Sequence, residues 1–153
     1  MDNYYEYEDI VYKVIGAAMN VHSELKWGLM EQIYQEALHI ELKSQGIPND
    51  REKEILCFYK QYQLEKKYKM DILIGDLIVE LKSSKEIVPA HRAQLLNYMR
   101  LTKKPVGLLL NFGSKSLQGE RYGYDELTNE CHMLDRHMNI IPDVPDWYST
   151  NDL

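Results

Sequence analysis

Asp71, Glu80 and Lys82 have the types and the spacing to do chemistry. They lie in the run Met70-Asp-Ile-Leu-Ile-Gly-Asp-Leu-Ile-Val-Glu-Leu-Lys82, where two apolar segments flank Gly75-Asp76. A Gly-Asp pair between β-type runs signals a two-residue hairpin. That turn sets a register with Ile74 opposite Leu77, Leu73 opposite Ile78, Ile72 opposite Val79 and Asp71 opposite Glu80. Side chains alternate along a strand, so Glu80 and Lys82 share a face. Two opposed carboxylates in an otherwise Ile/Leu/Val hairpin repel each other. Either the face is solvated, where like charges cost only about a few tenths of a kcal/mol, or a divalent cation lies between them. The nearby Lys82 favours the second reading. Two carboxylates holding Mg²⁺ and an ammonium that orients or deprotonates water form a constellation for metal-assisted hydrolysis.

Other elements must position these groups. Helical spacing of Ile10, Val11, Val14, Ile15, Ala17, Ala18 and Val21 predicts an amphipathic helix over 9–25. His22 continues its apolar stripe, more simply as a satisfied core residue than as a ligand. Gly28 suits a positive-φ helix stop. A second helix is predicted over 30–45, with Ile33, Tyr34, Ala37, Leu38 and Leu42 on its apolar face and Gly46 and Pro48 after it. Taken alone, Glu31 is a first-turn acid favoured by the helix dipole, and Tyr34 is core packing. Residues 49–54 read as a loop, 55–59 as a strand and 60–65 as a turn. Strands 68–74 and 77–82 then complete an antiparallel meander.

Pro89 opens a helix to about Leu101, with His91, Gln94 and Tyr98 on one side. The apolar run 106–112 reads as a buried strand, parallel to its neighbour through a right-handed crossover. Residues 121–124 suit a short edge strand. Beyond Asp125 the pattern shows weak helical periodicity at best. An acidic appendage over 125–153 is expected, packing through Leu127, Met133, Leu134 and Trp147 or remaining mobile. The order helix, helix, strand, strand, strand, helix, strand gives an α/β sandwich with a mixed central sheet.

The chain of 153 residues is long enough for one domain with a proper core, expected over 1–124. No apolar run approaches a membrane span, and the acidic, Tyr-rich start does not read as a signal peptide. Cys57 and Cys131 make neither a disulfide framework nor zinc spacing, so reduced thiols in a cytoplasmic protein are the expectation. The net charge of −6 argues weakly against a nucleic-acid partner. Its distribution softens that: the ends carry −4 (1–9) and −6 (125–153), leaving the body at +4.

These residues resemble a known group. Asp71 followed by Glu80-Leu-Lys82 on the next strand is similar to the (D/E)xK core of the PD-(D/E)xK nuclease superfamily, although Met70 stands where that name has proline. Gln94-Leu-Leu-Asn-Tyr98 looks like the QxxxY motif of RecB-like nucleases. Gly28-Leu-Met-Glu31-Gln-Ile-Tyr34 matches the signature of the small bacterial GxxExxY proteins. The resemblance covers about residues 10–116. Lys26-Trp27-Gly28 departs from the usual Gly-Pro-Gly, and the long acidic C-terminus lies outside the family pattern.

The resemblance implies a restriction-endonuclease-like α/β/α sandwich and a metal-dependent nuclease. It implies that Asp71 and Glu80 bind Mg²⁺ or Mn²⁺, with Glu31 as a further ligand, direct or through water. Lys82 would orient or activate the water. Gln94 and Tyr98 would contact the phosphate or the water, and His91 could touch substrate. Lys103 and Lys104 read more simply as a solvated basic loop than as phosphate contacts. Nucleic acid is the implied partner, DNA by analogy, and small nucleases of this kind commonly act as homodimers. The alternative is a non-catalytic nucleic-acid- or protein-binding module on the same fold.

Overall fold

The structure, a computed structural model, describes residues 4–142. Among these, six strands form one mixed sheet in the order β1-β2-β3-β4-β5-β6. The strands are β1 (Asp50–Tyr59), β2 (Tyr62–Ile74), β3 (Leu77–Lys82), β4 (Val106–Asn111), β5 (Gln118–Asp125) and β6 (Glu130–Leu134). Helices α1 (Glu8–Leu25) and α2 (Glu31–Ser44) precede the sheet in sequence, and α3 (Pro89–Thr102) joins β3 to β4.

The expected sandwich forms because the strands carry two apolar faces. Leu77, Val79 and Leu81 pack with α1 and α2 through Val14, Ala18, Tyr34, Leu38 and Leu42. Ile78, Leu109 and Tyr122 pack with α3 through Leu95, Tyr98 and Met99. Ile33, expected on the buried face of α2, is exposed instead. The hairpin register is as expected, with Ile72, Leu73 and Ile74 opposite Val79, Ile78 and Leu77. The β3–β4 pairing is parallel, as the intervening helix requires.

Several expectations are corrected. Residues 50–54 of the expected loop belong to β1, and most of the turn at 60–65 belongs to β2, because the two strands form a long ladder reaching Tyr59 opposite Tyr62. A bulge at Cys57 interrupts that ladder, and Lys60 takes the positive φ of 54° at its tip. The 121–124 segment is part of β5, an interior strand and not an edge. Residues 130–134 form β6, paired antiparallel to β5, where no strand was expected. Met133 and Leu134 are buried as expected, whereas Leu127 is 92% exposed. Trp147 lies outside the described residues. Among the described residues, no helix is long and apolar enough to cross a membrane.

Candidate active site

The site lies where β2 and β3 part. Their ladder ends at Ile72 opposite Val79. One step further, side chains replace backbone partners. The Asp71 backbone N–H donates to Glu80 Oε1 at 2.9 Å, and the Leu81 N–H donates to Asp71 Oδ2 at 2.8 Å. Beyond this fork β2 continues with β1, while β3 continues with β4. Glu80 is only 1% exposed, which removes the solvated-face reading at that residue. Burial holds its carboxyl well above the usual carboxylate range, and the charge of Asp71 pushes the same way. The Asp71 N–H and Lys82 oppose this and do not prevail. Asp71 Oδ1 also accepts Gln35 Nε2–H at 3.2 Å, and Gln35 Oε1 accepts Arg51 Nε–H at 3.2 Å.

Lys82, Gln94 and Tyr98 form a hydrogen-bonded row. Lys82 Nζ donates to Gln94 Oε1, and Gln94 Nε2 donates to the Tyr98 hydroxyl at 2.9 Å. The row forms because Lys82 is two residues past Glu80 on the α3 side of β3, while Gln94 and Tyr98 are one turn apart on α3. Burial raises the Tyr98 pKa, as do the charges of Glu80 and Asp71, so the phenol stays neutral. His91 is turned to structure: its Nδ1 accepts the Val88 N–H at 3.2 Å, closing the start of α3. Burial, then Lys82 and Arg92, lower its pKa, which keeps Nδ1 an acceptor.

The segment before α2 is held by Tyr34. Its hydroxyl donates to the Lys26 carbonyl at 2.7 Å and accepts the Leu29 N–H at 3.1 Å, and its buried ring stacks on Phe112 at 4.6 Å. Positive φ at Lys26 as well as at Gly28 turns the chain there. Ser83 Oγ donates to the Leu29 carbonyl, tying this loop to the end of β3. Glu31 stands in the first turn of α2, exposed, one turn before Gln35. Among the described residues, no three His, Cys, Asp or Glu side chains converge to hold a metal. Glu31 does not join Asp71 and Glu80 in a group of that kind.

Several partners of the site carried no local sequence signal. Lys82, Asn111 and Gln118 lie in one row across β3, β4 and β5. Asn111, inside an apolar run, is fully buried; its amide donates to the Ser84 carbonyl and to Gln118 Oε1, each at 2.9 Å, and its Oδ1 accepts the Ser84 and Gly113 N–H groups. Glu80, Leu109 and Glu120 form the adjoining row. There Glu120 is buried in a two-pronged pair with Arg92, both bonds 2.7 Å, and also accepts the Tyr122 hydroxyl at 2.6 Å. His22 is a satisfied core histidine, its Nε2 2.9 Å from the Ser114 carbonyl. Lys103 Nζ reaches the Tyr124 hydroxyl and Lys104 pairs with Asp76.

The donor set at the fork fits a divalent cation. Two carboxylates meet, one of them buried, and a cation relieves both the burial cost and their repulsion. A cavity of about 850 Å³ elsewhere, lined by Glu8, Asp9, Tyr12 and Arg136 among others, takes no residue of the fork.

The crystal structure of SSO0001 is similar to this chain, with a TM-score of 0.52 at 20% identity over 80% of this chain and 63% of that one. At that identity the likeness is one of fold, and this chain spans under two thirds of that protein. No curated protein matches the chain. The sequence pattern of the PD-(D/E)XK nuclease superfamily matches residues 8–122, from the start of α1 to β5 and so across the whole fork. Over that span, with this sheet and these helices, the chain belongs to the PD-(D/E)XK nuclease superfamily.

Proposed function

We propose that this protein is a metal-dependent nuclease that hydrolyses phosphodiester bonds at the β2–β3 fork, with DNA favoured by analogy with the superfamily. The observation that carries the reading is the meeting of Asp71 with the buried Glu80, beside the Lys82–Gln94–Tyr98 row. Members of this superfamily typically use divalent metals, and Asp71 and Glu80 are the residues that would hold Mg²⁺ or Mn²⁺ here. When bound, the cation would polarise a phosphate oxygen and acidify a water.

The chain's own residues do the rest. Lys82 has three N–H donors and gives one to Gln94. The other two orient the attacking water and stabilise charge on the phosphate. Gln94 holds the ammonium in place, because its amide is fixed at the other end by Tyr98. The neutral Tyr98 hydroxyl accepts from Gln94 and keeps its own proton to donate to a phosphate oxygen. One P–O bond forms from water, whose proton passes to solvent, and the ester P–O bond breaks, solvent protonating the leaving oxygen. Glu31, one turn before the Gln35 that touches Asp71, is suited to a water-mediated contact with the cation.

The test is Mn²⁺ and Mg²⁺ calorimetry on wild type and on Asp71→Ala/Glu80→Ala. The same samples are then incubated with labelled single- and double-stranded DNA and RNA. Cation binding and cleavage that both vanish in the variant support the reading. Cleavage that survives the double substitution, or cation binding without cleavage of any substrate, overturns it.

A further inference from the structure

We infer that one face of the β1–β2 ribbon is a stacking platform for single-stranded nucleic acid and leads that strand into the fork. This deepens the nuclease reading and rests on it for the chemistry at the fork.

Below Ile72, β2 pairs with β1 alone, so residues 53–70 of the two strands form a two-stranded ribbon beyond the sheet. Alternation places Tyr62, Leu64, Lys66 and Tyr68 on one face. Tyr59 pairs with Tyr62, and Ile55 with Tyr68, so Tyr59 and Lys53 belong to that face too. Tyr59 and Tyr62 are each 63% exposed, Leu64 44% and Tyr68 41%. Lys66 falls between Tyr62 and Tyr68 along β2, Lys53 lies opposite Met70 just beyond Tyr68, and Lys60 at the tip stands over the Tyr59 ring at 5.4 Å. Glu54 and Glu65 fall on the opposite face, where Glu54 meets Lys67. The tyrosine face thus carries lysines and no acid, around the buried Ile55, Cys57 and Met70, whereas the other face, with Phe58, mixes Glu54 and Glu65 with Lys67 and Lys69.

The row does not end in solvent. Tyr68 lies against Tyr98, ring centroids 5.5 Å apart, and Tyr98 is bonded through Gln94 to Lys82. Three exposed rings, Tyr59, Tyr62 and Tyr68, therefore lead from the ribbon tip to the buried Tyr98 beside Lys82. Aromatic faces stack on any unpaired base, and interleaved lysines neutralise the accompanying phosphates. A duplex keeps its bases stacked on one another and offers these rings only groove and backbone. A single strand is the occupant that uses both the rings and the lysines.

The test is fluorescence anisotropy with a labelled oligothymidine and a labelled duplex of equal length, in EDTA so that nothing is cut. Wild type is compared with Tyr59→Ala/Tyr62→Ala and with Tyr59→Phe/Tyr62→Phe, and circular dichroism checks that each variant is folded. The alanine variant is expected to bind oligothymidine about 100-fold more weakly, roughly tenfold for each ring. The phenylalanine variant should match wild type, since stacking needs the ring and not the hydroxyl. Duplex binding should change far less.

Unchanged oligothymidine binding in the alanine variant, equal losses on both probes, or no binding of either probe by wild type would each overturn the inference. So would a wild-type dimer that sediments as a monomer after the alanine changes, because the rings would then belong to a contact with a second copy. The readout is independent of catalysis. Stacking lost from the scheme while cleavage still needs Asp71 and Glu80 sinks the platform alone. Ring-dependent binding without any cleavage sinks the nuclease reading alone.

Discussion

Asp71 and Glu80 hold each other's strands together across the point where the ladder stops. The Asp71 N–H donates to the Glu80 carboxylate, and the Asp71 carboxylate accepts the N–H of the residue after Glu80. Each acid thus fills a backbone vacancy left by the divergence of β2 and β3. The repulsion between them is the cost of that arrangement, and burial of Glu80 deepens it.

Glu80→Gln should stabilise the metal-free protein while abolishing cation binding. A carboxyl whose folded pKa lies above its unfolded value of 4.5 binds its proton more tightly in the native state. Its contribution to stability is therefore full below about pH 4.5 and is lost as pH rises through the folded pKa. The advantage of glutamine should grow across the same window, reaching on the order of 1 kcal/mol, or about 2–4 °C in Tm, at neutral pH. Thermal melts against pH in EDTA check the sign. Cleavage by the variant should fall by about 100-fold or more.

Lys82→Met and Gln94→Ala separate charge from positioning. Removing the ammonium should lower kcat by about 100-fold or more with calorimetric cation binding retained. Gln94→Ala keeps the ammonium and loses only its anchor, so a smaller fall of about tenfold is expected. Equal losses in the two variants would show that Gln94 acts on the substrate itself.

Tyr34→Phe removes one hydroxyl that serves two backbone groups, the Lys26 carbonyl and the Leu29 N–H. The ring and its stack on Phe112 remain. A loss of about 1–3 kcal/mol in urea unfolding is expected from the orphaned groups. Faster amide exchange at Leu29 would locate the damage in the loop before Glu31.

Arg92→Leu leaves the Glu120 carboxylate buried without its cation. A destabilisation of about 3–5 kcal/mol is expected, and the double variant Arg92→Leu/Glu120→Gln should recover much of it. A double-mutant cycle by denaturant unfolding measures the coupling.

The hairpin of 70–82 was legible because its period and its turn residues agree. Gly75-Asp76 sets the register up to Ile72–Val79, and the two side-chain bonds one step further bring Asp71 to Glu80. The ribbon was not legible over 60–67. Both of its faces meet solvent there, so no apolar alternation marks a strand, and the ladder to β1 is the only tie. Residues 130–134 failed for a related reason, since their partner β5 had been read as an edge. Gln94 and Tyr98 could be placed together by helical spacing, whereas Gln35 with Asp71 and Arg92 with Glu120 are joined only by the tertiary fold. Tyr34 was legible only as core packing, because its hydrogen bonds to the Lys26 carbonyl and the Leu29 N–H depend on how the loop before Glu31 folds back.

Three ladder pairs, Ile72–Val79 to Ile74–Leu77, and the two side-chain bonds of the fork join β2 to β3. The ribbon is therefore hinged at Ile72 and also propped on α3, through Ile55, Met70 and the Tyr68–Tyr98 ring contact. A load on its tip reaches the Asp71–Glu80 pair along the ladder and reaches Lys82 through Tyr98 and Gln94.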